Sequence, residues 1–267
     1  MNMIKKLTAE FFGTLFLTFS ILSSITTTGR TYDQIIWTHG FAIFILATTF
    51  GQISGGHFNP AVSLAMIFGE KNSGKLSVGE FFMYFMAQLV GGFLAGVLNY
   101  TMFNGNAHYS GVTGDANTFV GPLGNYPLND QNLCGALLCE ILGTALLVLA
   151  IKMTSSKRNA FITKMQEKFP IFDIFFISAM ITFIGFMGIL YYAGINPARE
   201  FGPRMAGWAL YGARALEGEY LKYMWVPIVG PFVGSIVGVL GFMGIEKLYE
   251  TDEKIVDEKE EEVALNA

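Results

Sequence analysis

Apolar residues in this chain run in long blocks, and polar residues gather in short stretches between them. Six blocks, at about 7–28, 34–54, 78–102, 133–153, 171–193 and 223–245, each hold some twenty or more mostly apolar residues. That is the length a helix needs to cross about 30 Å of hydrocarbon, so each is predicted to span a membrane. Two shorter apolar stretches, about 59–69 and 196–207, fall between the second and third blocks and between the fifth and sixth. At about 1.5 Å per residue they reach only halfway across. The pattern therefore predicts an all-α membrane protein of six transmembrane helices and two re-entrant half-helices. The first block is too long for a secretory leader and lacks a small-residue cleavage pattern, so it reads as a retained span.

The pattern also repeats. AEFFGTLFLTFSI at 9–21 resembles CEILGTALLVLAI at 139–151, matching Glu10 to Glu140, Gly13 to Gly143 and Thr14 to Thr144. Each short stretch begins Asn-Pro-Ala, at Asn59-Pro60-Ala61 and Asn196-Pro197-Ala198. Each half carries three spans, an odd number, so the halves must insert in opposite orientations. The expected organisation is an N-terminus at 1–6 and a channel-like domain at 7–245, with repeats at about 7–103 and 133–245. An acidic tail follows at 246–267. Inverted repeats with broken helices and a midplane site recur among transport proteins.

Composition agrees with membrane burial. Only 14% of the 267 residues are charged and 52% are apolar, against about 25% charged in soluble domains. From Glu246 onward there are nine acids and three lysines, a local balance of −6 against −4 for the whole chain. The acidity thus belongs to the tail, which is expected to be disordered, and no basic stripe points to nucleic acid. Lys5, Lys6, Lys71, Lys75 and the lysines and arginine of 152–168 lie in connections on one side, whereas 104–132 has neither residue. The positive-inside rule then places both termini in the cytoplasm. Which membrane carries the protein is left open. Cys134 and Cys139 are spaced for different helix faces, and nothing implies a metal or another cofactor. No nucleophile with a base appears, so an enzyme is not expected.

The chemistry sits in the two Asn-Pro-Ala starts. Proline at the first helical position gives up no bond, because that N–H has no intrahelical partner. Asparagine caps the helix and still has amide hydrogens to present. Two helix N-termini meeting at midmembrane bring two partial positive charges of roughly +0.5 each, which repel cations and protons and admit neutral molecules. The extended backbone before each half-helix is tolerated at that depth only where it lines protein or a wet cavity. Carbonyl ladders are therefore expected from Gly55, Gly56 and His57 and from Tyr192, Ala193 and Gly194. Arg199 should line the path or find a partner, and Glu200 should pair with Arg204 near the outer surface. The intramembrane carboxylates Glu10 and Glu140 read as structural support for the two re-entrant loops, with a proton relay as the alternative.

GHFNPAVS (56–63) and INPAREFGPR (195–204) resemble the signatures of the major intrinsic protein family, the aquaporins and aquaglyceroporins, over roughly 7–245. The resemblance implies homotetramers with one pore per subunit. It maps the outer selectivity filter to His39, Ile184, Ala193 and Arg199. Glu200, Arg204, Pro227-Ile228, the long connection 204–227 and FVGPLGNYP (119–127) are similar to glycerol channels, whereas His39 with Ala193 is more like plant vacuolar aquaporins. The expected function is passive passage of water and small uncharged solutes such as glycerol, with protons and ions excluded. A water and ammonia channel with little glycerol transport is one alternative, and a secondary transporter is another. In the connection 154–170, Phe161, Ile162, Met165 and Phe169 are expected near one helical face, either on the membrane surface or as a candidate gate.

Overall fold

The computed structural model describes residues 2–27, 31–68, 75–103, 132–212 and 222–265. Part of the glycerol-channel signal, at 119–127 and at 213–221 within the connection 204–227, lies outside the described residues. The first half comprises α1 (Met3–Thr26), α2 (Tyr32–Ser54), the half-helix α3 (Pro60–Ala65) ending in a 3-10 turn Met66–Phe68, and α4 (Val78–Phe103). The second comprises α5 (Leu133–Ser155), α6 (Ala160–Lys168), α7 (Phe172–Phe186), the single turn α8 (Ile189–Tyr192), the half-helix α9 (Pro197–Tyr211) and α10 (Val226–Leu265). Among the described residues the regular elements are all helical, and α1, α2, α4, α5 and α10 to Glu250 are each long and apolar enough to cross a membrane. With α7 completing the set, this is a six-span all-α membrane protein.

Local sequence sets the helix starts. Asn2 caps α1 through Ile4 N, Asn132 caps α5 through Cys134 N, and Thr31 forms a reciprocal capping box with Gln34 at the start of α2. The fifth block departs from a single unbroken span. The chain leaves helical geometry at Met187, turns through Gly188 at φ 80°, and re-enters a helix for four residues. Glycine tolerates that left-handed conformation, and the break swings the chain toward the second Asn-Pro-Ala.

The helices pack as two related halves that exchange their half-helices. In the first half α1 packs on α2 and α4, and in the second α5 packs on α7 and α10. The half-helix α9 packs mainly on α4 of the first half, and α3 reaches across to α10 of the second. Close approach needs small residues, as in other membrane bundles. At Gly202 in α9, a Cβ would sit 2.6 Å from the carbonyl carbon of Gly92 and the N of Phe93 in α4.

Residues from 246 onward read as disordered by composition, but the last helix carries straight on to Leu265. No glycine or proline follows Gly244, and the segment is rich in Glu and Lys, both good helix formers. Its first turn beyond the apolar part is also held by tertiary bonds, in which Ser156 and Arg158 donate to Glu246 and Asn159 donates to Tyr249.

Candidate functional site

Among the described residues, two non-glycines adopt positive φ, Phe58 at 49° and Ile195 at 46°. They occupy equivalent places, each directly before an Asn-Pro-Ala. Such a conformation is costly for bulky or β-branched residues and persists only where surroundings fix it. Here the surroundings are nearly the same in both halves. Glu10 accepts hydrogen bonds from His57 N (3.0 Å) and Phe58 N (2.8 Å). Glu140 accepts from Gly194 N (2.9 Å) and Ile195 N (2.7 Å). Both carboxylates are fully buried.

The carbonyls of the two strained residues tie the halves together. Asn59 Nδ2 donates to Ile195 O (2.8 Å), and Asn196 Nδ2 donates to Phe58 O (2.9 Å). Each asparagine oxygen meanwhile caps its own half-helix. Asn59 Oδ1 accepts from Ala61 N, and Asn196 Oδ1 accepts from Ala198 N and Arg199 N. The two half-helix N-termini therefore meet face to face at a symmetric crossing. A side-chain amide has two N–H donors, and one on each asparagine is committed to the opposite loop. The other remains for a molecule beside them.

Such a molecule has room. A cavity of about 480 Å³ is lined from both halves, by His39, Gly55, Gly56, His57 and Asn59 and by Gly194, Ile195 and Asn196. Its remaining wall is apolar along most of its length, with Leu17, Ile43, Leu147, Ile151, Ile177 and Ile181, and becomes polar at Thr48, Gln52, Thr154 and Asp173. One wall offers donors and acceptors and the opposite wall is apolar along most of its length, which suits a file of small neutral molecules better than a fixed ligand.

The residues mapped to a filter are not all on this wall. His39 is, and its Nδ1 donates to Ile35 O at 2.8 Å. A carbonyl only accepts, so in the neutral ring Nε2 is left as an acceptor. Arg199 is 3% exposed and paired with Glu200. Ile184 and Ala193 are buried in an apolar cluster with Ile181, Ile189 and Ile195 and are not among the cavity's lining residues. Glu200 also accepts from Arg204 at 3.2 Å, but inside the protein rather than near its surface, since Glu200 is 0% and Arg204 1% exposed. The absent side chain of Gly194 leaves space that the Glu200 carboxylate fills. Of the carbonyls expected to form ladders, Tyr192 O accepts from Tyr223 Oη. In α6, Phe161 is exposed, Ile162 buried and Met165 half-buried, and Phe169, just after the helix, is exposed; none of the four lines the cavity.

Several supporting residues escaped the sequence reading. Gln88 Nε2 donates to both Glu10 Oε2 (2.7 Å) and Ser63 Oγ (2.9 Å), and Ser54 Oγ donates to Glu10 Oε1 (2.5 Å). Ser235 Oγ donates to Ala61 O (2.7 Å), fastening α10 to the first half-helix. Gln88 had a usable signal, because a lone amide inside an apolar span needs a buried partner.

An inverted repeat whose opposed half-helices cross over one cavity defines a membrane channel of the two-half-helix class. The family model of the major intrinsic proteins matches residues 1–242, and the chain belongs to that family. Among its relatives, Aquaglyceroporin-2 of Rhizophagus irregularis is 31% identical over 90% of this chain and 76% of its own length. The Glycerol uptake facilitator protein of Buchnera aphidicola is 28% identical over 89% of this chain and 93% of its own. Aquaporin-3 of Milnesium tardigradum is 31% identical over 81% of this chain, which spans 65% of that protein's length. In three dimensions the chain resembles the aquaglyceroporin from Plasmodium falciparum, with a TM-score of 0.73 at 24% identity, covering 94% of this chain and all of that one.

Proposed function

We propose that the protein is a passive channel that carries water and small uncharged solutes such as glycerol through the cavity beneath its two half-helices. One observation carries this reading: Asn59 and Asn196, from opposite halves, line the same cavity with their amides locked by reciprocal bonds to Ile195 O and Phe58 O. Donors held rigidly at the crossing satisfy a passing hydroxyl or water without reorganising. The two helix ends that hold them disfavour cations. His39, Ile184, Ala193 and Arg199 act in this reading as the outer filter, in which the His39 Nε2 acceptor faces solute. Glu10 and Glu140 support the loops, and the ladders of Gly55, Gly56, His57, Tyr192, Ala193 and Gly194 supply acceptors. The subunits assemble as homotetramers with both termini in the cytoplasm.

Relatives named as an aquaglyceroporin and a glycerol uptake facilitator support the glycerol arm. Stopped-flow light scattering on proteoliposomes tests it. Water efflux should exceed that of empty vesicles, and vesicles shrunk in glycerol should re-swell faster than lipid alone allows. Fast water with no glycerol re-swelling would remove the glycerol assignment. Repeating the series with His39→Ala reads how far that ring sets the ranking of solutes.

A further inference from the structure

Among the described residues the cavity is lined by one acid and by no lysine or arginine. The acid, Asp173, sits in the first turn of α7, a place that favours a negative side chain. Its Oδ1 accepts from Gln166 Nε2 at 2.6 Å, and the same nitrogen donates to Thr154 O at 2.6 Å. The carboxylate is thereby fixed beside the last turn of α5, and among the described residues no bond engages its Oδ2.

The hydroxyls that share this end of the cavity present oxygen rather than hydrogen. A hydroxyl has one hydrogen to give. Thr48 Oγ1 gives its own to Phe44 O (2.7 Å), Thr154 Oγ1 to Ile151 O (2.8 Å) and Ser155 Oγ to Ile151 O (3.0 Å). All three side chains line the cavity with Asp173, so their lone pairs and the free carboxylate oxygen make an end rich in acceptors. Ile171, Ile174 and Ile177, spaced three apart through the start of α7, add an apolar strip. The crossing is the chemical opposite, because Asn59 and Asn196 bring N–H donors there. Water satisfies either set alone. A solute that brings several hydroxyl hydrogens on a carbon chain matches the acceptor end best.

We propose that Asp173, with the oxygens of Thr48, Thr154 and Ser155, forms an entry subsite for neutral polyols, accepting their hydroxyl hydrogens while their carbons lie on the isoleucine strip. The subsite replaces part of the solute's water shell before it enters the apolar length of the cavity, and the gain grows with the number of hydroxyls. Asp173 is then a specificity residue that favours glycerol over a solute of the same length with fewer hydroxyls. This deepens the reading of the cavity as a solute path and rests on it.

The test compares the full wild-type chain with Asp173→Leu, using glycerol and propylene glycol, which share a three-carbon chain and differ by one hydroxyl. Leucine keeps the size of the side chain and removes both oxygens, while Gln166 keeps its bond to Thr154 O. Stopped-flow re-swelling of proteoliposomes, corrected for lipid, gives the permeability to each solute relative to water in the same preparation. Saturation-transfer NMR on the chain in lipid nanodiscs reports binding of each solute without flux. Asp173→Leu should lower the glycerol-to-propylene-glycol permeability ratio by about fivefold, as the loss of one net hydrogen bond gives. It should also weaken the glycerol transfer signal more than that of propylene glycol. An unchanged ratio in either readout overturns the proposal; equal losses for the two solutes are that result, and point to a reshaped cavity. If Asp173→Leu does not assemble, Thr48→Val removes one acceptor at constant shape and is judged by the same readouts. A wild type that passes no glycerol above lipid background counts against the channel reading for glycerol, and the NMR ratio then decides the subsite by itself.

Discussion

At the scale of single residues, the site depends on buried carboxylates that accept from backbone. Glu10 takes four hydrogen bonds, from His57 N, Phe58 N, Ser54 Oγ and Gln88 Nε2, and Glu140 takes two, from Gly194 N and Ile195 N. Glutamine in either place keeps one acceptor oxygen and turns an NH₂ toward a backbone donor, leaving that N–H buried without a partner. A buried unsatisfied donor costs about 1–3 kcal/mol. Glu10→Gln should therefore lower the thermal unfolding midpoint in detergent, and by more than Glu140→Gln, because more donors converge on it. Equal stability of both variants with wild type would mean that the strained loops are held by something else. The asparagines are a separate case. Asn196→Ala deletes the cap on α9 and the bond to Phe58 O together, and cap losses alone run to about 0.5–2 kcal/mol. Water permeability of the folded variant should fall, since the fixed donor at the crossing is gone; permeability equal to wild type would remove that asparagine from the path.

At the scale of elements, the interlock of the two halves sets the geometry of the cavity. Gly202 in α9 meets the backbone of Gly92 and Phe93 in α4 so closely that a Cβ would lie 2.6 Å away, with no flexible side chain to yield. Gly202→Ala should push α9 off α4 and destabilise the fold by roughly 1–3 kcal/mol, the usual range for overpacking. Gly135→Ala is the control: it has open space and should be tolerated. A normal melting profile for Gly202→Ala would show that the two helices can slide. The spans themselves were legible in the sequence because length and apolarity settle them, and the inverted relation followed from three spans per half. The break at Gly188 was not legible, since an isolated glycine in an apolar block does not announce a turn. Nor was the helix beyond 245: composition rich in acid reads as disorder, while the bonds that hold its first turn, from Ser156, Arg158 and Asn159, are some ninety residues away in sequence. In the site, paired motifs marked Asn59 and Asn196. The burial of Ile184 and Ala193 in an apolar cluster is a matter of tertiary packing that spacing does not carry.

At the scale of the whole molecule, two half-helices of opposite origin point their N-termini at one place, where the described residues present the amides of Asn59 and Asn196 to the cavity. Glu10 and Glu140 are spent on the backbone before each crossing, and Glu200 is enclosed between Arg199 and Arg204. Each half-helix end thus brings a positive partial charge to the crossing. A hydrated proton passing along a file of water would have to cross that field, and its water at the crossing would have to accept from the asparagine amides, which orients the file outward on both sides. Water can meet both conditions and a proton relay cannot. Proteoliposomes carrying a pH-sensitive dye, under an imposed pH gradient with valinomycin to clamp the voltage, should acidify no faster than empty vesicles while the same preparation shows rapid osmotic shrinkage. A proton flux that rises with protein content and is lost in Asn59→Ala would place protons on the same route as water, and the opposed helix ends would then not act as a barrier.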